Sequence, residues 1–246
     1  MKINSLMTLI TLSAALFLNT ALAESYEKLI TKADQLYSQR ADLDKARLAE
    51  STLQTAIKKD GNGAHAYWRL SRIQYFISYR LPEDEREEYL EQAVEDSKKA
   101  VELGPNMAET HYWQAQINLA FGEAAGVMKA VYLVKPTKKE LQEVIRINKN
   151  YAGGGAYRSL GIINLEVPMF LGGNKDKALE QLEQAYQIDA KNLITRAYLA
   201  KAWAEFDRVN DAVKMLKEVI SGPCHKDYQA ECELEKSYAK KILSDI

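Results

Sequence analysis

Small and large apolar residues recur at helical spacing along most of the chain. Ala178-x3-Leu182-x2-Ala185 and Ala212-x3-Leu216-x2-Val219 carry the same pattern 34 residues apart. Ala49, Leu53 and Ala56 repeat it, Ala93, Ser97 and Ala100 form a weaker copy, and Lys138, Gln142 and Ile145 a degenerate fifth. Residues three, four and seven apart share one face of a helix, so each triplet marks the buried stripe of an amphipathic helix. Five residues after each triplet stands a helix-ending position: Gly61, Pro105, Asn150, Ala190 and Cys224. A second amphipathic segment precedes each of these helices. The pattern predicts them at Tyr26–Gln39, Ala64–Tyr79, Ala108–Phe121, Ala156–Phe170 and Leu193–Phe206, with inner faces such as Leu29/Ala33/Tyr37 and Leu199/Ala200/Trp203. A last helix over Lys226–Leu243 would shield the final pair.

Paired antiparallel helices in units of about 34 residues are the tetratricopeptide (TPR) repeat. The expected fold is all-α, a TPR-like α-solenoid of about five helix pairs with a C-terminal capping helix. Three units are longer, and the extra residues fall between their two helices. They are Arg80–Glu88, Gly122–Thr137, whose apolar stretch Val127–Val134 is expected to pack as an additional helix, and Val167–Gly173. The run Pro168-Met169-Phe170-Leu171 either folds back on the solenoid or forms a contact with a partner or subunit.

In such a stack the first helices line the concave groove. Trp68, Trp113 and Arg158 occupy equivalent positions, 45 residues apart, with Arg72 and Ile117 one turn further on and Tyr75 beyond. If Trp68, Arg72, Tyr75, Trp113 and Arg158 converge, rings and guanidinium forks would suit an apolar carboxylate or a peptide. The competing reading is that the tryptophans pack between repeats.

The chain start changes the compartment. A basic Met1-Lys2-Ile3-Asn4, an uncharged and mostly apolar run from Leu6 to Leu18, and Ala21-Leu22-Ala23 have the layout of a cleaved signal peptide. Residues 1–23 would be removed and 24–246 would form one solenoid domain in the periplasm. No later stretch is long and apolar enough to span a membrane. Export places Cys224 and Cys232 in an oxidising compartment, where a disulfide, free thiols or a metal site with His225 are the alternatives.

Composition excludes more than it selects. With 33 Lys+Arg against 34 Asp+Glu the net charge is −1, and −2 once Lys2 is lost, so no nucleic-acid partner is expected. Two Cys and three His leave little for a metal centre, and no cofactor is expected. No metalloprotease, nucleophile-elbow or phosphate-loop motif occurs, so the chain reads as non-catalytic. His65 and His111 read as solvated or helix-end residues, Gly153-Gly154-Gly155 as a turn admitting close helix approach, and Glu83-Asp84-Glu85 after Pro82 as a helix start.

Tyr151–Ala185, YAGGGAYRSLGIINLEVPMFLGGNKDKALEQLEQA, resembles the T component of tripartite ATP-independent periplasmic (TRAP) transporters, the TatT-type TPR proteins. The likeness rests on the glycine run before Tyr157-Arg158, Leu160-Gly161, Pro168 with Phe170, and Gly172-Gly173. His111-Tyr112-Trp113-Gln114-Ala115 and Ala239-Lys240-Lys241-Ile242-Leu243 extend it. It implies a periplasmic partner of a TRAP solute-binding protein and a trimer with a ligand-accessible pore. A small organic acid or a partner would sit in the concave groove. The chain departs from that family in lacking a lipidation Cys. The alternative is a general cell-envelope scaffold for protein assembly that handles no solute.

Overall fold

A computed structural model describes residues 25–60, 63–224 and 229–246. The signal segment 1–23, Gly61, His225 and the expected start of the closing helix at Lys226 lie outside the described residues. The described chain is all-helical: α1 (25–38), α2 (Leu43–Lys59), α3 (Ala64–Ser78), α4 (Glu83–Leu103), α5 (Ala108–Ala124), α6 (Val127–Asn148), α7 (Tyr151–Glu166), α8 (Lys175–Ile188), α9 (Leu193–Glu205), α10 (Val209–Ser221) and α11 (Gln229–Asp245). A short 3-10 turn, Met169–Leu171, separates α7 from α8. Five antiparallel pairs and a closing helix form the expected TPR-like α-solenoid.

The repeated triplets are the seams of the pairs. Ala49, Ala56, Ala93, Ser97, Ala100, Ala178, Leu182, Ala185, Ala212, Leu216 and Val219 are fully buried, and Leu53 nearly so. Burying each leucine stabilises the fold by about 1.5–3 kcal/mol. Small residues let the paired helices approach. At Gly161 of α7 an added Cβ would come within 2.6 Å of Leu182 Cγ on α8. Side-chain caps fix several starts: Asp42 accepts from the Asp44 amide, Asn174 from Lys177 and Asn192 from Thr195.

The structure corrects the sequence reading in four places. The buried triplet of the third pair is Thr137, Leu141 and Val144, one residue before the expected Lys138, Gln142 and Ile145. Thr137, between Pro136 and two lysines, stands where most of the other copies carry alanine. Arg80–Glu88 is mostly the first turns of a long α4, begun by Pro82 and three acids, rather than an insertion. Val127–Val134 is no separate helix but the first half of α6, which continues through Pro136. The first helix of the fourth pair ends at Glu166, so Met169–Leu171 is outside α7. The regular part of α7 is also preceded by a left-handed turn: Ala152, Gly153 and Gly154 have φ of 51°, 60° and 73°.

Neighbouring first helices α3, α5, α7 and α9 touch one another, whereas second helices pack on the first helices beside them. The first helices therefore form the inner, concave layer.

Candidate functional site

The five candidate groove residues lie along this inner layer, but most of their polar atoms already have partners. Arg72 donates to Asp34 Oδ1 at 2.6 Å, and its guanidinium sits 3.7 Å from the Tyr37 ring centre and 5.1 Å from that of Trp68. Tyr75 meets Tyr79 edge-on and Trp113 at a tilt, with ring centres 5.1 and 5.9 Å away. Trp113 meets Tyr112 edge-on and donates its indole N–H to the Tyr151 hydroxyl at 3.1 Å. Arg158 is 9 % exposed and donates to Thr195 Oγ1, the Tyr112 hydroxyl and the Ala152 carbonyl. Ile117, the equivalent of Arg72 one repeat later, is fully buried with Leu90 and Ala93. The column thus packs between repeats and lines the concave wall at once. Two of its buried polar atoms, Trp68 Nε1 and Arg72 Nε, have no hydrogen-bond partner among the described residues.

Nothing in the sequence pattern pointed to what lies across this wall. α11 does cap the last pair: Ala239 and Ile242 are buried against α9 and α10. Its first turns also reach the opposite end of the solenoid. Glu231 accepts a bidentate pair of bonds from Arg40, at 2.7 and 2.8 Å, across 191 residues. Arg80 donates to the Ala230 carbonyl at 3.1 Å, and Ala230 packs on the first-pair core. Glu231, Glu235 and Tyr238 share one stripe of α11 at helical spacing. Burial raises the Glu235 carboxyl to about 7, against the pull of Arg158 and with the push of Glu231. The Tyr238 hydroxyl is also raised, by burial and by Glu123, against Arg86. α11 therefore lies along the concave face.

Cys224 and Cys232 form a disulfide, which fixes how α11 leaves α10 and takes both thiols away from metal chemistry. Glu233 is the third member of the sole group with metal-ligand spacing among the described residues.

His111 is more than a helix-end residue. It is buried between α5 and α6, with Nδ1 2.5 Å from Glu140 Oε2 and Nε2 2.9 Å from the Pro105 carbonyl. Both partners are acceptors, so the doubly protonated ring satisfies both. Burial lowers its pKa, but these two bonds outweigh burial and the net shift is upward. Glu140 stands 29 residues away, and only the α5–α6 pairing brings it near.

The Pro168–Leu171 run sits beside α6 without burying its largest side chains. Met169 and Phe170 are 85 % and 86 % exposed. The neighbouring first half of α6 leaves Val127, Met128 and Tyr132 similarly bare.

Solved structures share this architecture. A thermophilic TPR protein of Thermus thermophilus superposes with a TM-score of 0.63 at 18% identity, over 88% of this chain and 99% of that one. PilF of Pseudomonas aeruginosa gives 0.59 at 14%, over 92% and 90%. MamA gives 0.51 at 21%, over 88% and 96%. No curated protein sequence matches the chain. The expected membership of the TRAP T-component family is overturned, because the family model that matches is a different one. The implied solute-binding partner, trimer and pore lose their ground with it. The matching model spans residues 29–167, over half of the chain, so the chain belongs to the family described as regulator of microtubule dynamics protein 1-3.

Proposed function

We propose that this chain is a non-catalytic scaffold that seats a helical segment of a protein partner on its concave face. The observation that carries the reading is α11. That face already holds one helix whose carboxylates stand against Arg40 and Arg158 and whose Tyr238 approaches Glu123 and Arg86. A partner helix with acids four residues apart would compete for the same seat. Trp68 Nε1 and Arg72 Nε would give it hydrogen bonds left unmade in this structure, where each unmade bond costs about 1–3 kcal/mol. A small organic acid is disfavoured, because the forks it needs on Arg72 and Arg158 are engaged internally.

The test is a labelled synthetic peptide of residues 229–245 titrated onto the full chain. A Glu231→Lys chain, whose own α11 is repelled from Arg40, should bind it. Adding Arg40→Glu should abolish that binding. A peptide that binds neither chain removes the reading.

We also read the chain as exported to the periplasm. The layout of Met1–Ala23 supports this, and the Cys224–Cys232 disulfide suits an oxidising compartment. Amino-terminal sequencing from the native host should find Glu24 first, and a retained Met1 in the reducing fraction would exclude it. The family description favours a second reading, a role in microtubule dynamics, and co-sedimentation with polymerised tubulin tests that one.

A further inference from the structure

The outer layer carries a second surface, unlike the concave one. The 3-10 turn is held against the middle of α6 by Lys138, which donates to Asn164 Oδ1 at 2.5 Å and to the Gly172 carbonyl at 2.7 Å. Between turn and helix opens a recess of about 820 Å³, with Val134, Pro136 and Phe170 as its apolar wall and Lys135, Lys138 and Lys139 around it. No carboxylate lines this recess. Lys135, Lys138 and Lys139 form no direct ion pair with a carboxylate among the described residues, although Lys139 acts on Glu143 one turn further along α6, and nearby Lys175 pairs with Glu205 and Lys201 with Glu166. The Lys177 charge adds to the field felt by Lys138.

The recess continues into an apolar strip. Met128, Tyr132, Lys135 and Lys139 follow one another at helical spacing on α6, a run of about 16 Å. Met128 and Tyr132 are 85 % and 76 % exposed, and Phe170 stands at the other end at 86 %. An apolar strip continued by lysines that form no direct ion pair matches an apolar helix face flanked by anions.

We propose that the α6–turn recess and the Met128–Tyr132 strip dock an amphipathic, acidic helix of a protein partner. Charge complementarity selects the acids, and the length of the Met128–Lys139 run, about three helical turns, selects the helix. A concave recess suits inserted side chains better than a flat bilayer surface. The chain's net charge of −1 provides no general attraction to anionic lipid. This surface shares no residue with the concave face, so it stands or falls independently of the reading given there.

The experiment uses the full chain and a fluorescein-labelled peptide of about six helical turns, with leucines on one face and glutamates flanking them. A control peptide carries lysine for every glutamate, and vesicles of phosphatidylcholine with phosphatidylglycerol form a third arm. The acidic peptide should bind, and added salt should weaken it. Lys135→Glu with Lys139→Glu should weaken it about tenfold, and Phe170→Ala severalfold, with the circular dichroism unchanged because all three positions are exposed. Equal binding of both peptides, acidic binding untouched by the variants, or capture by vesicles without binding of the peptide would each overturn the proposal.

Discussion

The concave face and the α6–turn face are built from similar residue types and end in opposite states. Both combine aromatic or apolar side chains with cations. On the concave face Arg40 meets Glu231, Arg72 meets Asp34 and Arg86 meets Glu123, while rings meet rings edge-on or tilted. On the outer face Lys135 and Lys139 form no direct ion pair among the described residues, Lys139 acting only on Glu143 of its own helix, and Met128, Met169 and Phe170 are open to solvent. Aromatic–arginine patterning in this solenoid therefore marks, first of all, an internally satisfied wall. An available surface is marked by cations that form no direct ion pair and apolar groups that the fold leaves open to solvent.

Stability measurements put that contrast at risk. The largest effect should come from Arg158→Ala, which removes a buried guanidinium and leaves Glu235 without the positive charge that lowers its pKa. The expected loss is about 3 kcal/mol, read from the urea midpoint. A loss under about 0.5 kcal/mol would mean that the concave contacts hold nothing together. Next is the paired change Cys224→Ser and Cys232→Ser. A loop this short is worth about 2.5 kcal/mol in the chain-entropy account, and hydrogen exchange in α11 should speed up. An unchanged midpoint and exchange rate would show that α11 holds its seat unaided.

The pH dependence should be intermediate. The folded pKa of His111 lies above its unfolded value of 6.5, so its stabilisation is complete below about 6.5 and lost as pH rises through the folded value. Glu235 stays protonated in the fold up to about 7 but ionises from 4.5 when unfolded. Stability therefore falls with rising pH across that window as well. Urea midpoints should decline from about pH 5 to about pH 8. Glu235→Gln should flatten the lower part and His111→Gln the upper part. A midpoint that rises over this range would contradict both assignments. The smallest effects belong to the outer face: Phe170→Ser and Tyr132→Ser should each change stability by less than about 0.5 kcal/mol. A loss above about 1.5 kcal/mol would place those side chains against the body in solution.

Local signals were legible where one helix decides the outcome. Pro82 with three acids, the asparagines at 174 and 192, and the alanine–leucine triplets each act within a few residues. The third pair was misread by one residue because Thr137 hides the small-residue position among lysines and Pro136 falls inside the helix. Of the candidate site, the alignment of Trp68, Trp113 and Arg158 on one wall was readable from the repeat length. Their surroundings were not, because Asp34, Tyr151 and Thr195, which bond Arg72, Trp113 and Arg158, lie on neighbouring repeats. Glu140 beside His111 was hidden for the same reason.

The helices, their pairing into five repeats and the small residues at each seam follow from the amino-acid order, because helix periodicity and close packing are local properties. Only the folded chain shows that α11 crosses the concave face to Arg40 and that the cations near Phe170 stay unpaired with carboxylates. The first depends on the curvature summed over all repeats, and the second on how the turn after α7 meets α6, so both rest on which side chains distant in sequence come within a few ångströms of one another.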